Sequence, residues 1–403
     1  MLQKYNINYQ KYISYILIAY TFSFPLSKAT TNLFEIIAIL LWIFEGNWKE
    51  KLQLYTHNLL SLTLLTLIGY SLLSILWHGH IDTTLHYIFK YKHLFIIFVF
   101  YSSFDTKYTR HIISAFIMAM FISELASYGI FFELIHYKNI PSTDPSPFMS
   151  HMTYSTILAF AISILIVKLI YEKHLHYKLF YILFTLSATI NLFINGGRTG
   201  QVIYILLIGF ILFSVIQSKI KAFLGTSIII LLTFFLAYSF STNFHARANQ
   251  LTQDINNTLF HHNYAGSGGT RFALSVVGID TFLQKPLLGT GISYTMKNLQ
   301  ENATQNGFNA KELSNYSDYH NAFLTISTQL GIVGLVISFA IIFSLFSFNI
   351  KHKEYKMFSL LFALSFVVFS FTHNTLHTMN PMIFFTLFAG LFNKISRTHS
   401  LHQ

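Results

Sequence analysis

The chain has 403 residues, of which 53% are hydrophobic and only 10% charged, and its mean hydropathy is +0.51. That balance excludes a water-soluble domain, in which about a quarter of the residues are charged, and makes lipid the solvent for most of the chain. The net charge is +11, but the cations follow the alternation of membrane loops and form no compact basic patch, so no nucleic-acid partner is expected. There is no cysteine, which removes disulfides, thiol chemistry and Cys-based metal sites.

A membrane-spanning helix needs roughly 20 mainly apolar residues. Such runs recur near 12–27, 31–46, 57–79, 83–104, 109–135, 151–171, 178–195, 199–217, 222–240, 321–348, 357–372 and 380–393. The expected fold is therefore an all-α, polytopic integral membrane protein with about twelve transmembrane helices. The first run contains Pro25 and is followed at once by a second apolar run without a clear cleavage site, so it reads as a retained helix.

Positively charged loops stay cytoplasmic. Sixteen of the 26 Lys and Arg residues fall on alternate connections, from Lys4 and Lys11 through Lys107 and Arg110, Lys168, Lys173 and Lys178, to Lys351–Lys356, Lys394 and Arg397. Both termini are expected in the cytoplasm of a bacterium, with the chain in the inner membrane.

Two outer connections are long. Residues 136–150 hold three of the six prolines and read as an irregular loop. Residues 241–319 are long enough for a periplasmic helical subdomain, dividing the chain into 1–240, 241–319 and 320–403. Within the long loop, 270–285 reads as an amphipathic helix with Phe272, Val276, Ile279 and Leu283 on one side and Arg271, Ser275, Gly278 and Lys285 on the other. Pro286 and the Gly289-Thr290-Gly291 turn end it.

The polar equipment is mostly Arg and His. Arg198 lies in the turn Gly196-Gly197-Arg198-Thr199-Gly200 between two runs, where glycine N–H groups and a guanidinium suit a phosphate, or where the arginine simply snorkels at a tight turn. Arg271 follows Gly266-Ser267-Gly268-Gly269-Thr270 at a helix N-terminus, which favours anions. His320 opens the tenth run, and a continuous helix would bring His320, Ser327, Gly331 and Gly334 to one face, with the glycines admitting a neighbouring helix. Histidine suits proton transfer near neutral pH; the bland reading is an interfacial cap.

Lys90 and Lys92 lie with His93 inside the fourth run, where cations are costly unless they face protein or an anion; both lysines are candidate diphosphate contacts. Asn321, His151, His373 and His377 are candidates for lining the same site. Glu35 and Glu124, also within runs, read as partners of neighbouring polar groups. No P-loop and no Asp-x-Asp or Glu-x-Asp pair is present, so neither nucleotide nor metal cofactor is expected.

Three elements resemble the O-antigen ligase and polymerase superfamily of membrane glycosyltransferases: GGRTG at 196–200, GTRFALSVVGIDTFLQKPLLGTG at 269–291, and HNAFLTISTQLGIVGL at 320–335. The last fits the family pattern of His, then Asn, Ser or Gln, nine residues, and Gly-x-x-Gly. The second departs from it, with Ser275 where the family carries a bulky apolar residue. By motif the resemblance covers roughly 190–340.

The resemblance implies transfer of O-polysaccharide from an undecaprenyl diphosphate-linked O-antigen donor to the lipid A-core acceptor at the periplasmic side of the inner membrane, among membrane lipids. It implies diphosphate stabilisation by Arg198 and Arg271, and His320 as the catalytic base. Chain length and the single long loop look more like a ligase than a polymerase. A protein O-oligosaccharyltransferase using the same donor is a further reading, although no larger soluble extension is visible. A lipid-linked glycan flippase or transporter would be expected to show repeated halves and polar residues near mid-membrane; no internal repeat is seen, and the long loop after the ninth run argues against it.

Overall fold

A computed structural model describes residues 8–400 except 79, 80, 139, 262, 265, 293, 294, 310–312, 314, 315 and 317. The described residues form helices and connecting turns, with no strand among them. In chain order the helices are α1 (Tyr9–Ser23), α2 (Lys28–Glu45), α3 (Trp48–Thr56), α4 (Leu59–Leu73), α5 (Ile75–His78), α6 (Ile81–Phe89), α7 (Phe95–Ser103), α8 (Thr109–Phe131), α9 (His151–Tyr171), α10 (Leu175–Ile194), α11 (Arg198–Val215) and α12 (Lys219–Phe240). They continue with α13 (Thr242–Phe260), α14 (Ser267–Gln284), α15 (Thr295–Gln305), α16 (Ala322–Phe346), α17 (Lys353–Ser370) and α18 (Met379–Ser400). Side-chain oxygens of Asn8, Ser27, Asn58, Ser218, Ser241 and Asn321 accept first-turn N–H groups, so polar residues at the ends of apolar runs decide where helices begin.

Among the described residues seven helices are long and apolar enough to cross a membrane, or eight if α2 and α3, bent by 111°, count as one span. The expected twelve are thus not reproduced, for local reasons. The fourth run is broken into α6, a 3₁₀ segment Lys90–Leu94 and α7, because the polar Lys-Tyr-Lys-His string resists a uniform apolar helix. The first run yields a helix of only 15 residues, and Lys353, Glu354 and Lys356 charge the first turn of α17. The buried carboxylate of Glu35 takes His93 Nδ1 at 2.7 Å, pinning the 3₁₀ segment to α2, and Glu124 takes the Ser187 hydroxyl. Both acids pair with neighbouring polar groups, as the sequence suggests.

The centre of the bundle is α9 with α18. From Met382 to Phe392 nearly every apolar side chain of α18 is fully buried, as befits a helix apolar all round. Its rings interlock with α8, α9 and α17: Phe388 meets Phe160 at 4.8 Å and Phe116 at 4.9 Å between centroids, edge to face. Lipid is as apolar as these side chains, so such contacts hold the bundle by close packing; each aromatic pair contributes about 0.5–1.5 kcal/mol beyond the area it buries. At one end of α9, helices α13–α15 and the strings around them build a smaller layer with a core of its own, Ala273, Leu274, Val277, Leu299, Ala303, Leu313 and Tyr319.

Candidate active site

The site lies where this smaller layer meets the first turns of α9, α11 and α16. The sequence around Arg198 folds as it does because two glycines let α11 touch α9. A Cβ on Gly197 would lie 2.1 Å from Ser155 Oγ, and one on Gly200 2.2 Å from the Ser155 carbonyl carbon. The expected nest of free amides does not form: Gly196 N–H donates to Asp144 Oδ1 at 3.1 Å, Gly197 N–H to Asn195 Oδ1 at 3.0 Å and Arg198 N–H to Gly196 O at 3.1 Å. Anion-binding capacity here resides in the guanidinium instead.

Arg198 Nη2 donates at 3.2 Å to both Arg247 O and Gln250 Oε1 on α13, and Arg247 Nη1 donates to the same Gln250 oxygen at 3.0 Å. One amide oxygen thus holds two guanidinium groups together. Asp144, from the proline-rich loop, takes His151 Nδ1 at 2.8 Å. Burial works against its charge, but the His151 hydrogen bond and charge, the Gly196 N–H and Arg247 together hold its carboxyl below the usual range.

On α14 the anion-favouring N-terminus is already occupied. Buried Asp254 accepts from Gly268 N–H at 3.1 Å and lies 3.5 Å from the Ser267 hydroxyl. Among the described residues, Arg271, one turn on, donates only to a neutral acceptor, Met152 Sδ at 3.0 Å, next to His151. Partial burial weakens its hold on its proton, with Tyr316 opposing. Arg198 feels the charges of Arg247 and Arg271, with Asp254 opposing, while Asp144 feels Arg247 and Asp318 acts with Arg271 on His320, so three arginines and three carboxylates share this neighbourhood.

His320 has a left-handed backbone, φ +49°, a conformation that costs a non-glycine residue of order 1 kcal/mol and clusters at functional sites. Its N–H donates to Asp318 Oδ1 at 2.8 Å, and its ring stands edge-on to Tyr316 at 5.2 Å and to His373 at 6.1 Å. His320 Nδ1 is buried without a hydrogen-bond partner. Burial, reinforced by Arg271, lowers its pKa against the pull of Asp318. His373 is lowered to about 4, mainly by burial, with His320 and Arg271 adding to the effect and Asp318 opposing it. Asn321 serves as the N-cap of α16, its oxygen accepting from Leu324 N–H at 3.1 Å.

The motif glycines do something other than admit a helix. α16 is interrupted at Gly331 (φ 65°, ψ −156°), and the segment 286–291 enters the break. Thr290 N–H donates to Thr328 O at 2.8 Å, Gly291 N–H to Gln329 O at 2.9 Å and Ile332 N–H to Pro286 O at 2.8 Å. The face expected of a continuous helix through His320, Ser327, Gly331 and Gly334 is therefore replaced by a broken one. Irregular backbone this far along a spanning helix is tolerable because protein satisfies it.

The structure brings Arg198, Arg271, His320, His151 and His373 to one region. Lys90 and Lys92 are exposed; Lys92 Nζ lies over the Phe89 ring at 4.9 Å, and Lys90 is felt at His377, which stacks on Tyr87 at 3.5 Å. Arg247, Gln250, Asp144 and Met152 were not singled out in sequence. An arginine and a glutamine three apart on a polar helix carry no distinguishing pattern, and Asp144 lies in a loop whose sequence reads only as irregular.

No curated protein matches the chain. Residues 181–339 match the family model described as O-antigen ligase, a stretch that takes in GGRTG, the Arg271 element and the His320 motif, and that agrees with the range read from the motifs. Over 181–339 the chain is thus similar to the O-antigen ligase family.

Proposed function

We propose that this protein is an O-antigen ligase of the bacterial inner membrane, moving O-polysaccharide from undecaprenyl diphosphate to a sugar hydroxyl of lipid A-core at the periplasmic face. The observation that carries the reading is the convergence of Arg198, Arg247 and Arg271 with a buried, partner-free histidine nitrogen, His320 Nδ1. In this reading the acceptor oxygen attacks the anomeric carbon as the bond from that carbon to the phosphate oxygen breaks, inverting the centre. His320 takes the acceptor proton. Arg198 and Arg271, with Arg247 beside them, receive the charge that develops on the leaving diphosphate in a low-dielectric setting, where such groups act most strongly. The lowered pKa keeps His320 unprotonated at neutral pH, the state a base needs.

Lipopolysaccharide electrophoresis of a deletion strain tests the reading. Loss of every capped band with accumulation of lipid-linked polymer is the ligase outcome; survival of a single-repeat band makes the protein a polymerase with the same donor. His320→Ala should abolish transfer while the protein still inserts in the membrane. Normal transfer by that variant removes His320 from the chemistry.

A further inference from the structure

At the other end of α9 lies a second polar site. An open cavity of about 280 Å³ is lined by Arg110, Lys168, Tyr171, Glu172, His352, Glu354 and Tyr355. It joins the start of α8, the end of α9 and the start of α17. The 21 residues of α9 span roughly 30 Å at 1.5 Å each, about the thickness of the hydrocarbon core, so this cleft opens across the membrane from the arginine cluster. The Lys and Arg distribution assigns this end to the cytoplasm.

The charges in the cleft are balanced and unevenly used. Lys168 Nζ lies 3.4 Å from Glu354 Oε1. Arg110 is exposed and has no hydrogen bond or ion pair among the described residues, although its charge is felt at Glu172. Glu172 Oε1 accepts from Lys173 N–H at 2.8 Å and His174 N–H at 3.0 Å, which fixes that oxygen and leaves the rest of the carboxylate's acceptor capacity open. At about 30 Å³ per water the cavity holds roughly nine waters, more room than a lone ion needs. A dianion would meet two carboxylates here, and a bare ammonium two cations. A ligand carrying one charge of each sign meets neither penalty.

We propose that this cleft binds the headgroup of a zwitterionic aminophospholipid from the adjoining leaflet, its phosphate on Arg110 and its ammonium on Glu172, with Tyr171 and Tyr355 at the rim. Tyrosines at headgroup depth are the ordinary aromatic belt of a membrane protein, and a fork of guanidinium donors suits a phosphate diester.

The test is native mass spectrometry of the purified full-length chain in detergent, titrated separately with phosphatidylethanolamine, phosphatidylglycerol and soluble phosphoethanolamine. Phosphatidylethanolamine is expected to bind at least tenfold more tightly than the other two. Arg110→Gln and Glu172→Gln should each lower its affinity about tenfold, with an unchanged melting profile showing that the variants are folded. Equal binding of phosphatidylglycerol overturns the assignment of the ammonium. Equal binding of phosphoethanolamine overturns the lipid source, and wild-type affinity in either variant overturns the site.

Discussion

The N–H of Ile332 donates to the carbonyl of Pro286 at 2.8 Å, tying the helix that starts beside His320 to the segment that follows the helix bearing Arg271. Gly331 makes this possible: its φ of +65° with ψ of −156° is a region essentially reserved for glycine, and a Cβ there would lie 2.2 Å from Leu287 O. Gly331→Ala therefore combines backbone strain of order 1–3 kcal/mol with a clash against main chain that cannot move aside. We expect loss of transfer together with a lowered melting temperature. Gly69→Ala is the control, since Gly69 sits in α4 with nothing within 4 Å of its would-be Cβ; it should be neutral or stabilise by up to about 1 kcal/mol. Equal behaviour of the two variants in thermal unfolding would show that the break in α16 is unimportant.

Gly200 presents a packing case. Its Cβ would meet the Ser155 backbone at 2.2 Å, so Gly200→Ala must push α11 away from α9 and carry Arg198 with it. The expected result is a strong loss of transfer even though no charged group has been touched. Wild-type activity in membranes containing normal amounts of this variant would show that Arg198 does not depend on that contact.

How much of this was legible in sequence depended on the distance over which the physics acts. The helix expected at 151–171 is found as His151–Tyr171, and that expected at 270–285 as Ser267–Gln284, because apolar runs and local glycines fix such elements. The break at Gly331 was not legible: a glycine in an apolar run reads as a helix–helix contact, and the chain that fills the break comes some forty residues earlier. The packing of α14 was hidden for a similar reason. Its bulky side, Phe272, Ile279 and Leu283, is exposed, while Ala273, Leu274, Val277 and Gly278 are buried. Gly278 faces Leu324 and Tyr319 closely enough that a Cβ would lie 2.5 Å from Leu324 Cδ2. The arginine motifs were readable, but the acceptors that orient them, Gln250 and Met152, were not.

Gln250 gives a charge test. Its Oε1 accepts from Arg198 at 3.2 Å and from Arg247 at 3.0 Å. Gln250→Glu keeps the shape and adds a negative charge, making charge-assisted bonds roughly twice as strong as neutral ones and offsetting part of the positive field. If that field receives the donor's diphosphate, the KM for lipid-linked donor should rise severalfold or more, with kcat less affected, in an assay with purified protein. Arg271→Lys should lose at least tenfold in kcat/KM, because a point charge replaces a fork of donors. An unchanged donor KM in Gln250→Glu would place the diphosphate elsewhere.

The histidines of the last loop make stability depend on pH. His373 is lowered to about 4 and His377 to about 3, both chiefly by burial; His320 and Arg271 add to the first against Asp318, and Lys90 and His86 add to the second. Each has a folded pKa below the unfolded value of about 6.5, so below pH 6.5 the unfolded chain binds protons that the folded chain does not. Stability is fully present above pH 6.5 and falls as the pH drops towards 4, at up to about 1.4 kcal/mol per pH unit for each histidine. The apparent melting temperature of the detergent-solubilised protein should therefore fall steadily from pH 7 to pH 5. A His373→Asn, His377→Asn double variant should show a clearly shallower fall. The same slope in both proteins would mean that these two rings take up protons freely in the folded state, contrary to their buried, partner-poor setting.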